Sequence, residues 1–198
     1  MHVDFWFEFA STYSYPAAMR VEDKARERGV DVRWRPFLLG PIFKSQGWND
    51  SPFNIYPAKG RYMWRDLERI CESQSIPFQR PSRFPRNGLL PARIVARFQD
   101  APWIGVFVRG VYGANFAEDR DISDPAVIMA VLTGIGQSEE IAAAAESAEA
   151  KSLLRASTEE AMALGIFGAP TLVASGELFW GNDRLEDALR WVSTGRAA

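Results

Sequence analysis

Alternation along the first nine residues sets the reading. Val3, Phe5, Phe7 and Phe9 alternate with Asp4, Trp6 and Glu8, the period of a strand with one face well buried. The period then changes. Over residues 12–28 the apolar positions Ala17, Ala18, Met19, Val21 and Ala25 follow helical spacing, and Gly29 is a stop signal. Val30, Val32, Trp34 and Phe37 mark a second strand. Short connections in a strand-helix-strand unit predict parallel pairing through a right-handed crossover.

The middle of the chain has another character. Residues 38–57 read as loop, punctuated by Gly40-Pro41, Gly47, Ser51-Pro52 and Pro57. Residues 60–74 predict a charged amphipathic helix built on Tyr62, Met63, Leu67 and Ile70, and residues 77–87 a proline- and arginine-rich loop. Helices are expected at 90–98, 106–114, 125–133 and 139–148, with Ser123 and Ser138 as candidate N-caps. A helix over 152–164, ending at Gly165, leads back to the first unit. Residues 171–174 and 178–180 predict a hairpin around Ser175-Gly176-Glu177. The last helix, 183–192, opens on Asp183-x-x-Glu186, the spacing of a capping box. The expected architecture is α/β. Segments 1–37 and 158–198 form one domain, and an all-helical insertion of residues 38–157 interrupts it.

Composition narrows the function classes. The chain has 198 residues, 47% hydrophobic and 24% charged, enough for one core with a large insertion. The net charge of -2 gives no basic excess for nucleic acid and no acidic tail. Cys71 is the single cysteine, so no internal disulfide forms, and in its amphipathic helix it reads as a small buried hydrophobe. His2 is the single histidine, which argues against a histidine triad or a histidine-rich metal site; no metal is expected. No apolar run approaches the ~18 residues of a membrane span. The opening residues read as strand rather than as a secretory leader, so the expectation is a soluble cytoplasmic protein.

The candidate chemistry sits where the first strand breaks, at Ala10-Ser11-Thr12-Tyr13-Ser14-Tyr15. Far downstream, Gly168-Ala169-Pro170-Thr171 precedes another strand. A polar helix start paired with a distant x-Pro-Thr-strand is the skeleton of a thioredoxin-like thiol site. A redox member would open its helix with Cys-x-x-Cys; here Ser11-Thr12-Tyr13-Ser14 carries no sulfur. Dithiol exchange needs a protein thiolate and is excluded. A thiolate at this site must come from outside. Helix-start N–H groups favour an anion there and lower the pKa of a held thiol. Without a neighbouring base Ser11 is a poor nucleophile, so it reads as a hydrogen-bond donor to that thiolate, or as a simple N-cap. A cis Ala169-Pro170 bond would present the Ala169 N–H and C=O to an extended peptide; most X-Pro bonds, however, are trans. In Trp180-Gly181-Asn182-Asp183, Asp183 suits an α-ammonium and Asn182 the neighbouring carboxylate, the two ends of a γ-glutamyl group; alternatively Asp183 only caps its helix.

Four segments together carry a resemblance: residues 4–11 (DFWFEFAS), 57–63 (PAKGRYM), 168–171 (GAPT) and 180–185 (WGNDRL). Spanning nearly the whole chain, the set resembles the 2-hydroxychromene-2-carboxylate isomerases. That family is close to the kappa-class glutathione transferases within the DsbA-like thioredoxin superfamily. The resemblance implies a thioredoxin fold interrupted by a helical insert, glutathione as cofactor, and a homodimer. It implies that Ser11 binds and activates the glutathione sulfur. Ala169 and Pro170 would hold the tripeptide backbone, while Trp180, Gly181, Asn182 and Asp183 surround the γ-glutamyl end. Lys59 suits the glycine carboxylate of glutathione, and Lys44 a substrate carboxylate. Asn49 or Asn54, with Phe84 and Asn87, would lie beside a small aromatic carboxylate from aromatic catabolism. The implied reaction is a cis-trans isomerisation by reversible thiolate addition. Two alternatives stand beside it: a kappa-type transferase or peroxidase, and a peptide-binding module without chemistry.

Overall fold

The opening alternation builds the central strand of the sheet. In the computed structural model the described residues are 1–194. Strand β1 (His2–Phe7) pairs parallel with β2 (Asp31–Pro36) and antiparallel with β3 (Thr171–Ala174). Strand β4 (Glu177–Trp180) closes the expected hairpin on β3, giving the order β2-β1-β3-β4. Side chains on β1 point alternately to two faces. Phe5 and Phe7 join the large core with Phe9, Tyr15, Trp34 and Tyr112; Trp6 joins a smaller one with Phe37, Ile42, Ala161 and Ile166. Trp34 sits edge-on to Phe5 and Phe7 at 5.2 and 5.6 Å. Each fully buried ring contributes about 1.5–3 kcal/mol, so the start of the chain anchors the sheet on both faces.

Every element between β2 and β3 is helical. The first helical stretch is not continuous, however. It forms α1 (Ser14–Ala18) and α2 (Val21–Arg26), because Arg20 breaks the ladder between them. The Arg20 N–H bonds the Ala17 carbonyl, three residues back, at 3.1 Å. Its side-chain Nε takes the Pro16 carbonyl at 3.0 Å. Gly29 does end this stretch, in the left-handed conformation (φ 64°) that glycine adopts without penalty.

Residues 38–57 also depart from the expected loop. They hold α3 (Leu39–Ser45) and α4 (Pro52–Ile55) and lead directly into α5 (Pro57–Ser73). The prolines that read as breakers are helix starts. Pro52 and Pro57 occupy first-turn positions, where the missing N–H costs nothing, and Ser51 Oγ caps α4 by accepting from Phe53 N.

The remaining helices are α6 (Leu89–Arg97), α7 (Ile104–Phe116), α8 (Pro125–Gly134), α9 (Glu140–Ala144) and α10 (Ala148–Ala163). Asp124, not Ser123, caps α8 by accepting from Ala126 N at 2.9 Å. Ser138 accepts from Glu140 N at 3.2 Å. The helix expected to run to residue 148 stops at Ala144, and Ser147 caps α10. Asn182–Arg184 form a 3-10 turn before α11 (Leu185–Thr194). Asp183 lies within that turn, 3.5 Å from Arg184. Residues 195–198 of the expected second segment lie outside the described residues. Among the described residues no helix is long and apolar enough to cross a membrane.

Cys71 is buried in α5, as its position suggested, and burial pushes its thiol up to about 11. The native protein should therefore resist iodoacetamide at neutral pH and react only after unfolding. Rapid labelling of native protein would contradict this placement.

Candidate active site

The break after β1, the segment before β3, helices α3 and α4 and the turn before α6 enclose a cavity of about 920 Å³. Ser11 is part of its lining. Its Oγ donates to the Ala169 carbonyl at 2.9 Å and accepts from Ser14 N at 3.3 Å. The two motifs, 158 residues apart in sequence, thus meet in one hydrogen bond. The Ala169-Pro170 bond is cis. Pro170 is buried, and its carbonyl accepts from Gly181 N at 2.9 Å, which ties the segment to β4.

Several backbone donors in the wall lack acceptors. Among the described residues the N–H groups of Thr12, Tyr13 and Ala169 find no hydrogen-bond partner. Thr12, Tyr13 and Ala169 all line the cavity. Helix α1 has only five residues, so little helix dipole acts here. The unpartnered N–H groups of Thr12, Tyr13 and Ala169 are what an anion would meet here, while the Ser11 hydroxyl is donated to the Ala169 carbonyl.

Trp180, at the end of β4, projects into the rim with 53% of its surface exposed. Its ring packs on Phe167 at 4.9 Å. Gly168 makes room for it: a Cβ there would stand 2.4 Å from Trp180 Nε1. Lys44, Asn49, Lys59, Phe84 and Asn87 also line the cavity. Lys59 lies over the Tyr56 ring at 4.9 Å. Phe84 meets Trp64 edge-on at 4.9 Å, and Asn87 Oδ1 accepts from Leu89 N at 2.9 Å.

Five expected residues stand outside the wall: the buried Pro170, and Asn54, Gly181, Asn182 and Asp183. Asn54 donates to Asp50 at 3.0 Å. Asn182 Oδ1 accepts from Arg20 Nη2 at 2.7 Å, and Gly181 and the exposed Asp183 flank it behind Trp180.

Sequence reasoning missed several wall residues, among them Tyr13, Arg86 and Glu8. Tyr13 donates to Asp66 at 3.0 Å; burial first, then Asp66, pushes its hydroxyl above the usual range. Arg86 is almost fully buried and pins the turn that carries Phe84 and Asn87. Glu8 is half-buried, and burial pushes its carboxyl up to about 7. The one signal for Glu8 was an acid set between Phe7 and Phe9, three residues before Ser11. The arrangement can pair with an extended peptide through Ala169, hold an anion beside Ser11, and enclose a flat apolar group against Trp48, Phe53 and Phe84.

Comparison with known proteins agrees with this geometry. The family model for the DsbA-like thioredoxin domain matches residues 2–190. The 2-hydroxychromene-2-carboxylate isomerase of Sphingobium xenophagum is 29% identical over 187 residues, covering 93% of this chain and 94% of that protein. The glutathione S-transferase kappa 2 of Caenorhabditis elegans is 27% identical over 201 residues, covering 92% and 88%. A solved 2-hydroxychromene-2-carboxylate isomerase superposes with a TM-score of 0.79 at 25% identity, covering 93% and 91%. The chain belongs to the DsbA-like thioredoxin family, where its relatives include 2-hydroxychromene-2-carboxylate isomerases and kappa-class glutathione transferases.

Proposed function

We propose that this protein is a glutathione-dependent isomerase of the 2-hydroxychromene-2-carboxylate type. The observation that carries the reading is the Ser11–Ala169 contact in a cavity without a protein thiol. The wall fits glutathione. Ala169 offers an unpartnered N–H and a carbonyl to a peptide backbone, and Thr12 and Tyr13 offer unpartnered N–H groups to an anion. Bound glutathione supplies a thiolate whose reversible addition turns a conjugated double bond into a single bond free to rotate.

The chain's own residues act in a definite order. A peptide N–H arriving at the Ala169 carbonyl takes over the acceptor that Ser11 Oγ–H occupies. The hydroxyl is then free to turn to the sulfur. Lys59 pairs with the glycine carboxylate, and the exposed Asp183 receives the γ-glutamyl end beyond Trp180. Lys44 holds the carboxylate of the aromatic substrate, with Asn49 and Asn87 as polar contacts and Phe84 against its ring. Positioning and stabilisation of charge supply the rate enhancement.

A second reading has support in the kappa-class relative: a transferase that keeps the thioether adduct. The fate of glutathione separates the two. Incubation with a 2-hydroxychromene-2-carboxylate should yield the trans open-chain product with glutathione recovered in full. Stoichiometric loss of glutathione would favour the transferase, and no turnover with no glutathione binding would sink both.

A further inference from the structure

Glu8 has no part in the reading above. It continues the alternation of β1 on the side of Trp6. Its backbone is fixed, because the Glu8 carbonyl accepts from Ser11 N and from the Tyr112 hydroxyl, each at 2.9 Å. The residue lines the same cavity as Ser11. Among the described residues its carboxyl makes no hydrogen bond and no ion pair. Its oxygens are open to the cavity rather than sealed in the core, so a ligand there can reach them.

The other ionisable groups of the cavity are engaged or unsuited. Tyr13 is a donor to Asp66, and the Tyr112 hydroxyl beneath is spent on the Glu8 carbonyl. Arg86 is held by the Asn115, Asp119 and Arg120 carbonyls and by the Asp119 carboxylate, and Asp50 accepts from Ser51 and Asn54. Lys44 and Lys59 are exposed cations on α3 and α5. His2, the single histidine, is exposed at the far end of β1.

We propose that Glu8 is the proton carrier that opens a cyclic hemiketal substrate in this cavity. The proposal rests on the isomerase reading. A 2-hydroxychromene-2-carboxylate carries its hydroxyl and its ring oxygen on the same carbon. The Glu8 carboxylate takes the hydroxyl proton, and the O–H electron pair becomes the second bond of a ketone C=O. The bond from that carbon to the ring oxygen breaks, and its electron pair stays on the ring oxygen. Glu8 then returns the proton to the phenolate so formed. No electron is gained or lost, and the carboxylate is regenerated. The paired oxygens of one carboxyl match two oxygens on one carbon, so a single side chain can take and give. The product is an open-chain conjugated ketone, the form in which the cis-trans change takes place. A carboxyl that titrates near 7 is suited to both halves of this transfer at neutral pH.

The test compares wild type with Glu8→Gln on two substrates. One is the cyclic 2-hydroxychromene-2-carboxylate; the other is cis-benzylidenepyruvate, which lacks the ortho hydroxyl and cannot cyclise. Glu8→Gln should lower kcat on the cyclic substrate by roughly a hundredfold, the scale of general acid–base catalysis. Its loss on the open analogue should be at least tenfold smaller, and Glu8→Asp should restore part of the cyclic rate. A second readout needs no glutathione. With its folded pKa raised, Glu8 favours the folded state fully below the unfolded value of 4.5 and loses that contribution as pH rises through about 7. Wild type should therefore lose stability over this window relative to Glu8→Gln. Equal losses on both substrates, or identical stability profiles, would overturn the assignment of Glu8 and leave the isomerase reading intact. A wild type that binds glutathione but turns over neither substrate would overturn that reading and this proposal with it.

Discussion

Ser11→Ala should raise the pKa of bound glutathione by about 1–2 units and cut isomerase turnover at neutral pH by roughly ten- to a hundredfold. The magnitude follows from one lost hydrogen bond to a charged group, about 1.5–3 kcal/mol. Among the described residues the hydroxyl is the one side-chain donor held at the Ala169 carbonyl, and α1 is too short to compensate through its dipole. Binding of glutathione should fall less than the rate, because the Ala169 backbone remains. Ser11→Cys is the informative partner, since it places a thiol beside the position expected for the glutathione thiolate. It should form a mixed disulfide with oxidised glutathione. An unchanged thiolate absorbance in Ser11→Ala would contradict the role given to Ser11.

The second large effect lies at Arg86 in the same cavity wall. Arg86 is buried to 3% side-chain exposure. Its Nη1 donates to the Asn115 carbonyl and Oδ1 at 3.2 Å each, and to the Arg120 carbonyl at 2.9 Å. Its Nη2 reaches Ser82 Oγ at 3.3 Å, the Asp119 carbonyl at 3.2 Å and the Asp119 carboxylate. Arg86→Met would leave three carbonyls and a carboxylate without this partner. It should cost about 3–5 kcal/mol in urea unfolding, the range for breaking a buried charged network. Arg86→Lys should recover only part, because an ammonium cannot reproduce the planar fork. A loss under about 1 kcal/mol would place Arg86 among ordinary surface pairs.

These two sites differ in how legible they were. The strand alternation from Val3 to Phe9 and the break at Ser11 are local patterns, and so is the x-Pro-Thr start of β3. Each was readable because backbone geometry follows directly from period and from proline. The Arg86 network joins residues 29–34 positions apart through backbone carbonyls, which leave no mark in the sequence. Pro52 and Pro57 misled because proline breaks a helix interior but starts a helix equally well. The split between α1 and α2 turned on Arg20, whose side chain competes for the Pro16 carbonyl. Asn182 faces Arg20 rather than the cavity, a pairing across 162 residues that spacing does not reveal. Glu8 looked like the polar side of a strand; only the cavity beside it gives its carboxyl a setting.

The central claim is that the chain holds glutathione as a thiolate beside Ser11 and Ala169. Ultraviolet difference absorbance during titration of the wild-type protein with reduced glutathione at neutral pH tests it most directly. The account predicts a saturable thiolate signal that is greatly reduced in Ser11→Ala. Binding without thiolate absorbance, or no binding at all, would contradict it.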